Sequence, residues 1–166
     1  RIVDKSGRDV APGEPGEIVV KGPNVFARYW NKPAETAESI RDGWFHTNDM
    51  GRRDEEGFVH VIGRKQELII SSGENIYPAE VERAIQALPQ VREAAAVAMP
   101  DETRGEVVAA FVMLHEGKPI TEEELIRALD GRIAHFKIPK KVIFVENFPR
   151  NPAGKILKRE LKKQVQ

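Results

Sequence analysis

Residues 77–100, "YPAEVERAIQALPQVREAAAVAMP", decide the fold of the second part of the chain. Pro78 lies where the first turn of a helix accepts proline. The apolar residues that follow at the i, i+3, i+4, i+7 spacing of one helix face are Val81, Ala84, Ile85 and Leu88. The run "VREAAAVAMP" then has the length of a strand and an almost unbroken apolar character, which predicts a strand buried on both faces. A helix packed on such a strand predicts a mixed α and β core.

Further elements extend this core along the chain. "ELIISSGEN" (67–75) predicts a short strand that runs into a glycine-containing loop, and "EVVAAFVML" (106–114) and "KKVIFVENF" (140–148) predict two more strands. Thr121 and Glu124 have the spacing of a capping box in front of a helix. We therefore predict an α+β domain over residues 63–166, in which a short β-sheet packs with about three helices.

Residues 1–62 have a different character. A hairpin around Lys5–Gly7, the strand "EIVVKG" (17–22) and a short helix from Pro33 to Ile40 are predicted there. "GWFHTNDMGRRDEEGFVHVIG" (43–63) predicts two strands joined by a turn. We expect this β-rich segment to be a weaker candidate for folding alone than residues 63–166.

Composition excludes several classes of protein. Hydrophobic residues make up 40% and charged residues 31%, which is typical of a globular protein rather than a disordered one. Lys plus Arg equals Asp plus Glu at 26 each, so no overall charge attracts nucleic acid. The absence of cysteine excludes disulfides and thiol catalysis. No apolar run approaches the roughly 20 residues of a membrane-spanning helix and no signal-peptide pattern is present, so we expect a cytoplasmic protein without a transmembrane segment.

The chain begins with Arg1 rather than methionine. We therefore expect it to be a piece of a longer protein, and this expectation governs the function that can be assigned to it.

Asp49, in "HTNDMG" (46–51), is the first candidate for chemistry. A carboxylate at the edge of a turn can accept hydrogen bonds from the two hydroxyls of a ribose. It can equally form an Asx-turn with its own backbone, which is common for aspartate in turns. The residues alone leave both interpretations open.

Arg64 and Gly73 are the next candidates. Arg64 follows a predicted strand, and its planar guanidinium suits a phosphate or ribose oxygen, although an interdomain salt bridge is an equal alternative. Gly73 removes a side chain where a ligand has to approach the backbone, or it is a plain turn glycine.

Lys155 lies in "NPAGKILKREL" (151–161), which predicts a short helix entered at Gly154. Lys155, Lys158 and Arg159 would then occupy its opening turns, where the helix dipole favours anions instead. Either an anion arrives from elsewhere, or the cations form a solvated basic face. A Walker A phosphate loop is excluded because Ile156 stands where serine or threonine is required. A basic helix lying on a membrane or on nucleic acid is a further alternative.

No metal site is predicted. The histidines are scattered and lack the spacing of metal ligands: His46, His60, His115 and His135. His46 either orients the turn at Asp49 or is a structural histidine.

Taken in order, four motifs carry a resemblance. They are "GWFHTND" (43–49), "GRKQELIISSGENIYPAEVE" (63–82), "FKIPKKV" (136–142) and "PRNPAGKILKREL" (149–161). Together they resemble the C-terminal part of the adenylate-forming, or AMP-binding, enzymes, over essentially the whole chain. The segment "SSGENIYPAEVE" (71–82) is most similar to the corresponding segment of the fatty-acyl and related acyl-CoA synthetases.

The resemblance implies roles for particular residues. Asp49 would bind the ribose hydroxyls of ATP and then of the acyl-adenylate, and Arg64 would contact the nucleotide. Lys155 would be the catalytic lysine that bonds the carboxylate and α-phosphate oxygens as pyrophosphate leaves.

The resemblance also implies a reaction cycle. A carboxylic acid and ATP give an acyl-adenylate, and CoA then converts it to a thioester and AMP. Between the two steps residues 63–166 would move as a lid about a hinge near residues 64–66, centred on Gln66. The lid would present Lys155 in the first step and the loop around Gly73, beside the pantetheine channel, in the second.

The sequence departs from the family pattern at three positions. Asn48 stands where the family most often has glycine, and asparagine tolerates a left-handed backbone. Gln66 replaces the usual Asp or Lys of the hinge, and Asn75 stands where some members have a phosphate-contacting arginine, which makes it a further candidate for a phosphate contact.

Other family motifs are absent. The chain has no Gly/Ser/Thr-rich phosphate loop, no motif that binds adenine and magnesium, and no acyl pocket. The resemblance places these, with most of the Mg²⁺ site, in a large N-terminal domain of the same polypeptide, of which residues 1–62 would be the end. We therefore expect the chain alone to be inactive.

Two alternatives stay open beside the acyl-CoA ligase. The same residues would serve an adenylation domain that loads a carrier protein. A binding module could also use the lid fold without catalysis.

Overall fold

The computed structural model describes residues 1–166, and the chain divides into two compact units, Arg1–Gln66 and Glu67–Gln166. No helix has both the length and the apolar character needed to cross a bilayer.

The first unit is a five-stranded antiparallel sheet. Its strands are β1 (Ile2–Val3), β2 (Gly16–Val20), β3 (Ile40–Arg41), β4 (Trp44–Arg53) and β5 (Val59–Arg64), and one short helix, α1 (Pro33–Ser39), precedes β3. The order is β1-β2-β4-β3, and β5 pairs with β4 through the turn that the sequence predicts after residue 53.

The apolar surface of the first unit is only partly buried. Ile2, Val3 and Val19 are buried, whereas large apolar side chains remain exposed on the same unit: Trp30, Phe58, Val59 and Val61. This small sheet buries too little of its apolar surface to form a substantial core of its own.

The second unit is built on a mixed sheet of five strands. They are β6 (Ile69–Ser71), β7 (Glu74–Ile76), β8 (Val91–Asp101), β9 (Gly105–Leu114) and β10 (Lys141–Phe144), with helices α2 (Pro78–Gln86), α3 (Glu122–Leu129) and α4 (Lys158–Lys162). β8 runs antiparallel to β9 along its whole length, and β10 runs parallel to β9 on the other edge.

Both faces of β8 and β9 are covered, as the apolar runs predict. On one face α2 and α3 pack against the sheet, and this cluster includes Val81, Ile85, Leu125, Leu129, Ala94, Ala96, Val108, Ala110 and Val112. On the other face Ala95, Val97, Ala109, Phe111 and Met113 pack with Phe148, Leu161 and Val165. Because successive residues of a strand face opposite sides, the alanine-rich strand β8 lets helices approach from both sides.

The predicted α+β class is confirmed, and so is the capping box of α3. The Glu124 N–H donates to Thr121 Oγ1 at 3.2 Å, and the Thr121 N–H donates to Glu124 Oε2 at 2.9 Å.

Two expectations need correction. The sequence predicts a loop after β6, but residues Glu74–Ile76 form a second strand antiparallel to it. The terminal helix begins at Lys158 and not near Gly154, because residues 151–155 close a separate turn that is bounded by the bridge between Arg150 and Ile156. Lys155 therefore lies outside the helix, and the dipole argument does not apply to it.

Candidate functional site

Asp49 and Arg64 form an ion pair across two strands. They are directly opposite in the register of β4 and β5, and Arg64 Nε lies 2.8 Å from Asp49 Oδ1. The Asp49 side chain is 31% exposed and that of Arg64 is 47% exposed, so both keep free polar atoms toward solvent. The alternatives of a simple Asx-turn at Asp49 and of an interdomain partner for Arg64 are thus replaced by a cross-strand pair inside the first unit.

The backbone of the turn before Asp49 is held by side chains. Asn48 adopts φ 59°, the left-handed conformation that asparagine tolerates better than most residues. The Asn48 N–H donates to Glu17 Oε1 at 3.3 Å, and the Asp49 N–H donates to Thr47 Oγ1 at 3.0 Å. Thr47 Oγ1 in turn donates to the carbonyl of Ile18 at 2.7 Å. The carboxylate of Asp49 is therefore presented by a fixed turn.

Glu17 is a buried carboxylate that the sequence alone did not single out. Its Oε2 accepts from Lys65 Nζ at 2.8 Å and lies 3.2 Å from His46 Nδ1. Burial by itself would raise the pKa of Glu17, but the hydrogen bonds from Lys65 and His46 outweigh it and hold the pKa below its ordinary value. His46 thus contacts Glu17 rather than Asp49 itself.

The chain leaves the first unit through a single turn of 3-10 helix, Lys65–Glu67. Lys65 is paired with Glu17, and Glu67 is paired with Lys158 Nζ at 2.7 Å. Gln66 is exposed between these two paired neighbours.

Gly73 lies at the tip of the β6–β7 hairpin. Ser72 and Gly73 have φ 50° and φ 85°, which match the two central residues of a type I′ turn. No atom lies within 4 Å of the position that a Cβ on Gly73 would occupy. Asn75 is exposed on β7 opposite Ile70. The hairpin therefore offers open backbone at its tip.

Lys155 lies in a turn that is closed by Asn151. The Lys155 N–H donates to Asn151 Oδ1 at 2.9 Å, and the Asn151 N–H donates to the Lys155 carbonyl at 3.0 Å. Arg150 donates to the carbonyl of Gly154 and pairs with Glu93 on β8. The Lys155 side chain is left exposed on a closed loop.

Six cationic residues lie between positions 150 and 163, and five of them pair with carboxylates. The pairs are Arg150 with Glu93, Lys158 with Glu67 and Glu82, Arg159 with Glu160, Lys162 with Glu106, and Lys163 with Glu160. Lys155 has no such partner. A cation without an internal anion, on an ordered loop, is able to bind an anion from outside the chain.

The predicted residues thus fall into three places. Asp49 and Arg64 are brought together in the first unit. In the second unit, Gly73 and Asn75 lie in the β6–β7 hairpin, and Lys155 lies in a separate loop. No group of three or more His, Cys, Asp or Glu side chains is arranged to hold a metal ion.

The chain is similar in sequence to curated CoA ligases. It is 50% identical over 164 residues to 2-succinylbenzoate–CoA ligase of Bacillus mycoides, matching 99% of this chain and 34% of that protein. It is 47% identical over 165 residues to indoleacetate–CoA ligase of Aromatoleum aromaticum, matching 99% of this chain and 32% of that protein. The chain therefore spans about one third of the length of these relatives.

The chain is also similar to a protein of known structure, MatB from Rhodopseudomonas palustris, at 44% sequence identity. The match covers 99% of this chain and 33% of the MatB chain. The TM-score is 0.93 against the ATP-bound crystal structure and 0.72 against the apo crystal structure, at the same identity and coverage. The matched span of MatB therefore differs in conformation between its two crystals.

The family model of the AMP-binding enzyme C-terminal domain matches residues 80–155. This range covers most of the second unit and ends on Lys155. Most of the second unit is therefore similar to the AMP-binding enzyme C-terminal domain.

Proposed function

We propose that this chain is the C-terminal third of an ATP-dependent acid–CoA ligase. In the first half-reaction a carboxylate oxygen attacks the α-phosphorus of ATP, and the bond from that phosphorus to pyrophosphate breaks. In the second, the sulfur of CoA attacks the acyl carbon of the adenylate, and AMP leaves with the bridging oxygen. The two CoA-ligase relatives and the family match of the second unit support this proposal.

The observation that carries the proposal is the unpaired Lys155. The other five cationic residues of the terminal segment each pair with a glutamate, while the backbone of Lys155 is held by Asn151. Negative charge is present on the carboxylate and on the α-phosphate when they react. A preorganised cation that contacts both lowers the barrier, and removing such a group costs about 10²–10³ in rate. Lys155 is thus the catalytic residue of adenylation.

Asp49 and Arg64 bind the nucleotide. A carboxylate has about four lone-pair positions, so Asp49 can retain Arg64 and still accept from the two ribose hydroxyls. Arg64 carries five N–H donors; Nε pairs with Asp49 and one from Nη1 reaches the carbonyl of Thr47 at 3.4 Å, so the remaining donors can bind a ribose or phosphate oxygen. The turn held by Asn48 and Glu17 fixes this pair before the nucleotide arrives.

Gln66 is the hinge about which the unit Glu67–Gln166 turns between the half-reactions. It is exposed, and it lies between a residue anchored to Glu17 and a residue anchored to Lys158. The two conformations of the matched span in MatB support a motion of this kind. The open backbone around Gly73 then lines the channel of the pantetheine arm in the second step, and Asn75 is a candidate phosphate contact beside it.

The exposed apolar residues of the first unit support its assignment to a larger N-terminal domain. Trp30 is 82% exposed and Phe58 is 64% exposed, and a domain that continues from this sheet would cover them. Mg²⁺ would be bound mainly by that larger N-terminal domain and by the phosphates of ATP, where it would offset their negative charge. A cytoplasmic location stays a prediction from composition.

The acid substrate is a carboxylate whose class is open to test. The similarity of residues 71–82 to fatty-acyl-CoA synthetases favours a fatty acid. The two curated relatives are instead named for 2-succinylbenzoate and indoleacetate, both of which carry an aromatic ring.

The test is a product analysis with the intact enzyme that contains this chain. It is incubated with ATP, CoA and a panel of aliphatic and aromatic carboxylates. AMP, pyrophosphate and a CoA thioester in equal amounts are expected. Formation of ADP and phosphate would contradict the proposal, and transfer to a phosphopantetheinyl carrier protein in preference to CoA would favour the carrier-loading alternative.

A further inference from the structure

Lys158 is a largely buried cation that the proposed chemistry does not use. It is the first residue of α4, and its side chain is only 22% exposed. Its Nζ lies 2.7 Å from Glu67 Oε2 and 2.7 Å from Glu82 Oε1. One ammonium group therefore joins α4, α2 and the first residue of the second unit.

The carboxylates that hold Lys158 are themselves fixed. Glu82 lies on α2, and its Oε1 also accepts the N–H of Ala96 on β8 at 2.8 Å. Burial alone would lower the pKa of Lys158, but Glu82 and Glu67 outweigh it and raise the pKa above its ordinary value, so Lys158 stays charged. The start of α4 is therefore attached to the rigid core of the unit rather than to a mobile surface.

Lys158 lies near the proposed catalytic lysine in sequence and is paired with the residue that follows the proposed hinge. Lys155 precedes it by three residues, and Glu67 follows the proposed hinge residue Gln66 directly. We infer that Lys158 is a positioning residue: it ties the Lys155 loop to Glu67, so that a rotation at Gln66 carries Lys155 with it as one body. This inference rests on the proposed function of Lys155.

A role in packing alone is a less complete explanation. Leu161, on the same helix, is buried at 1% exposure and already packs α4 against the sheet. The charge-assisted bonds of Lys158 to Glu67 and Glu82 also fix the rotation of α4 about its axis at its first residue. They therefore fix the position of the loop that precedes the helix.

The first experiment compares the two half-reactions in the intact enzyme. Lys158→Met is expected to lower kcat for adenylation by about a hundredfold, since a shift of 1 Å in a catalytic group costs about that much, with little change in KM for ATP. Thioester formation from supplied acyl-adenylate is expected to be unchanged, because it does not use Lys155. Lys158→Arg, which can bond both glutamates, is expected to recover most of the adenylation rate.

Matched variants separate positioning from general damage. Glu67→Gln is expected to reproduce the selective loss in part, and Lys163→Met, just beyond the same helix but paired only with Glu160, is expected to leave both rates unchanged. Wild-type adenylation in Lys158→Met, or an equal loss in both half-reactions, would overturn the inference. Lys155→Ala is measured in parallel: if it too spares adenylation, the proposed function fails instead.

The second experiment does not depend on catalysis. In the 166-residue chain, the NMR order parameter of the Lys155 amide is measured with and without Lys158→Met. A value of about 0.85 is expected for the parent chain and a lower value for the variant, in which Asn151 still closes the loop but Lys158 no longer anchors it. Equal order parameters in the two chains would overturn the inference whatever the enzyme assays show.

Discussion

Lys155 and Asn151 are joined by two reciprocal hydrogen bonds, from the Lys155 N–H to Asn151 Oδ1 at 2.9 Å and from the Asn151 N–H to the Lys155 carbonyl at 3.0 Å. These bonds fix the backbone of Lys155 and leave its ammonium group without a partner. The backbone of Lys155 is therefore ordered while its ammonium group is free, which is what the proposed catalytic role requires.

Replacing Asn151 with alanine is expected to loosen this loop. The side-chain acceptor for the Lys155 N–H disappears, so we expect adenylation by the intact enzyme to fall about tenfold. Because the loop is exposed, the free energy of unfolding should change by no more than about 1 kcal/mol. ATP–pyrophosphate exchange and denaturant unfolding measure the two quantities.

Asn151→Asp keeps an oxygen in the accepting position and serves as the conservative variant. It is expected to retain more exchange activity than Asn151→Ala. If the alanine variant exchanges as fast as the parent enzyme, the Asn151 side chain has no role in placing Lys155.

Gly73 and Gly117 allow a matched test of the second half-reaction. Both have positive φ, 85° and 70°, and at neither residue does an atom lie within 4 Å of the place that a Cβ would take. Alanine at either site therefore carries a similar left-handed backbone cost of about 1 kcal/mol. Only Gly73→Ala is expected to slow thioester formation from supplied acyl-adenylate, because only that hairpin is assigned to the pantetheine channel. Equal rates of thioester formation for Gly73→Ala and Gly117→Ala would show that Gly73 does not line the channel.

Glu17 is expected to control the acid stability of the first unit. Its pKa is held below the ordinary value of 4.5 by Lys65 and His46 against the effect of burial. The stabilisation from this carboxylate is therefore present above pH 4.5 and is lost as the pH falls through the folded-state pKa. At neutral pH, Glu17→Gln should lower the free energy of unfolding by about 2 kcal/mol.

Urea unfolding at a series of pH values tests this dependence. Trp30 and Trp44, the two tryptophans of the chain, both lie in the first unit, so their fluorescence reports on that unit. The parent and Glu17→Gln curves should converge as the pH falls below about 4.5. A difference that stays constant across the series would show that the charge of Glu17 is not what stabilises the unit.

Local patterns in the sequence predict much of this fold. The helix face of Val81 and Ile85 and the capping box of Thr121 and Glu124 each depend on residues within two turns of one another, and the structure confirms both. Asp49, Arg64 and Lys155 are identified by a resemblance to a family. The structure adds that Asp49 and Arg64 are paired and that Lys155 lacks a partner.

Long-range contacts could not be predicted in the same way. Glu17 is separated from Asn48 by 31 residues, and Lys158 from Glu67 by 91 residues, and neither pair has a local signature. The predicted start of α4 is wrong for a related reason. A closed turn at Asn151 competes with the first helical turn, and the apolar spacing of the helix does not reveal it.

The most direct measurement is the effect of Lys155→Ala on the two half-reactions of the intact enzyme. Adenylation is expected to fall by about 10²–10³, while thioester formation from supplied acyl-adenylate stays at the parent rate. An equal loss in both half-reactions, or no loss in adenylation, would contradict the assignment of Lys155 as the cation of the first step.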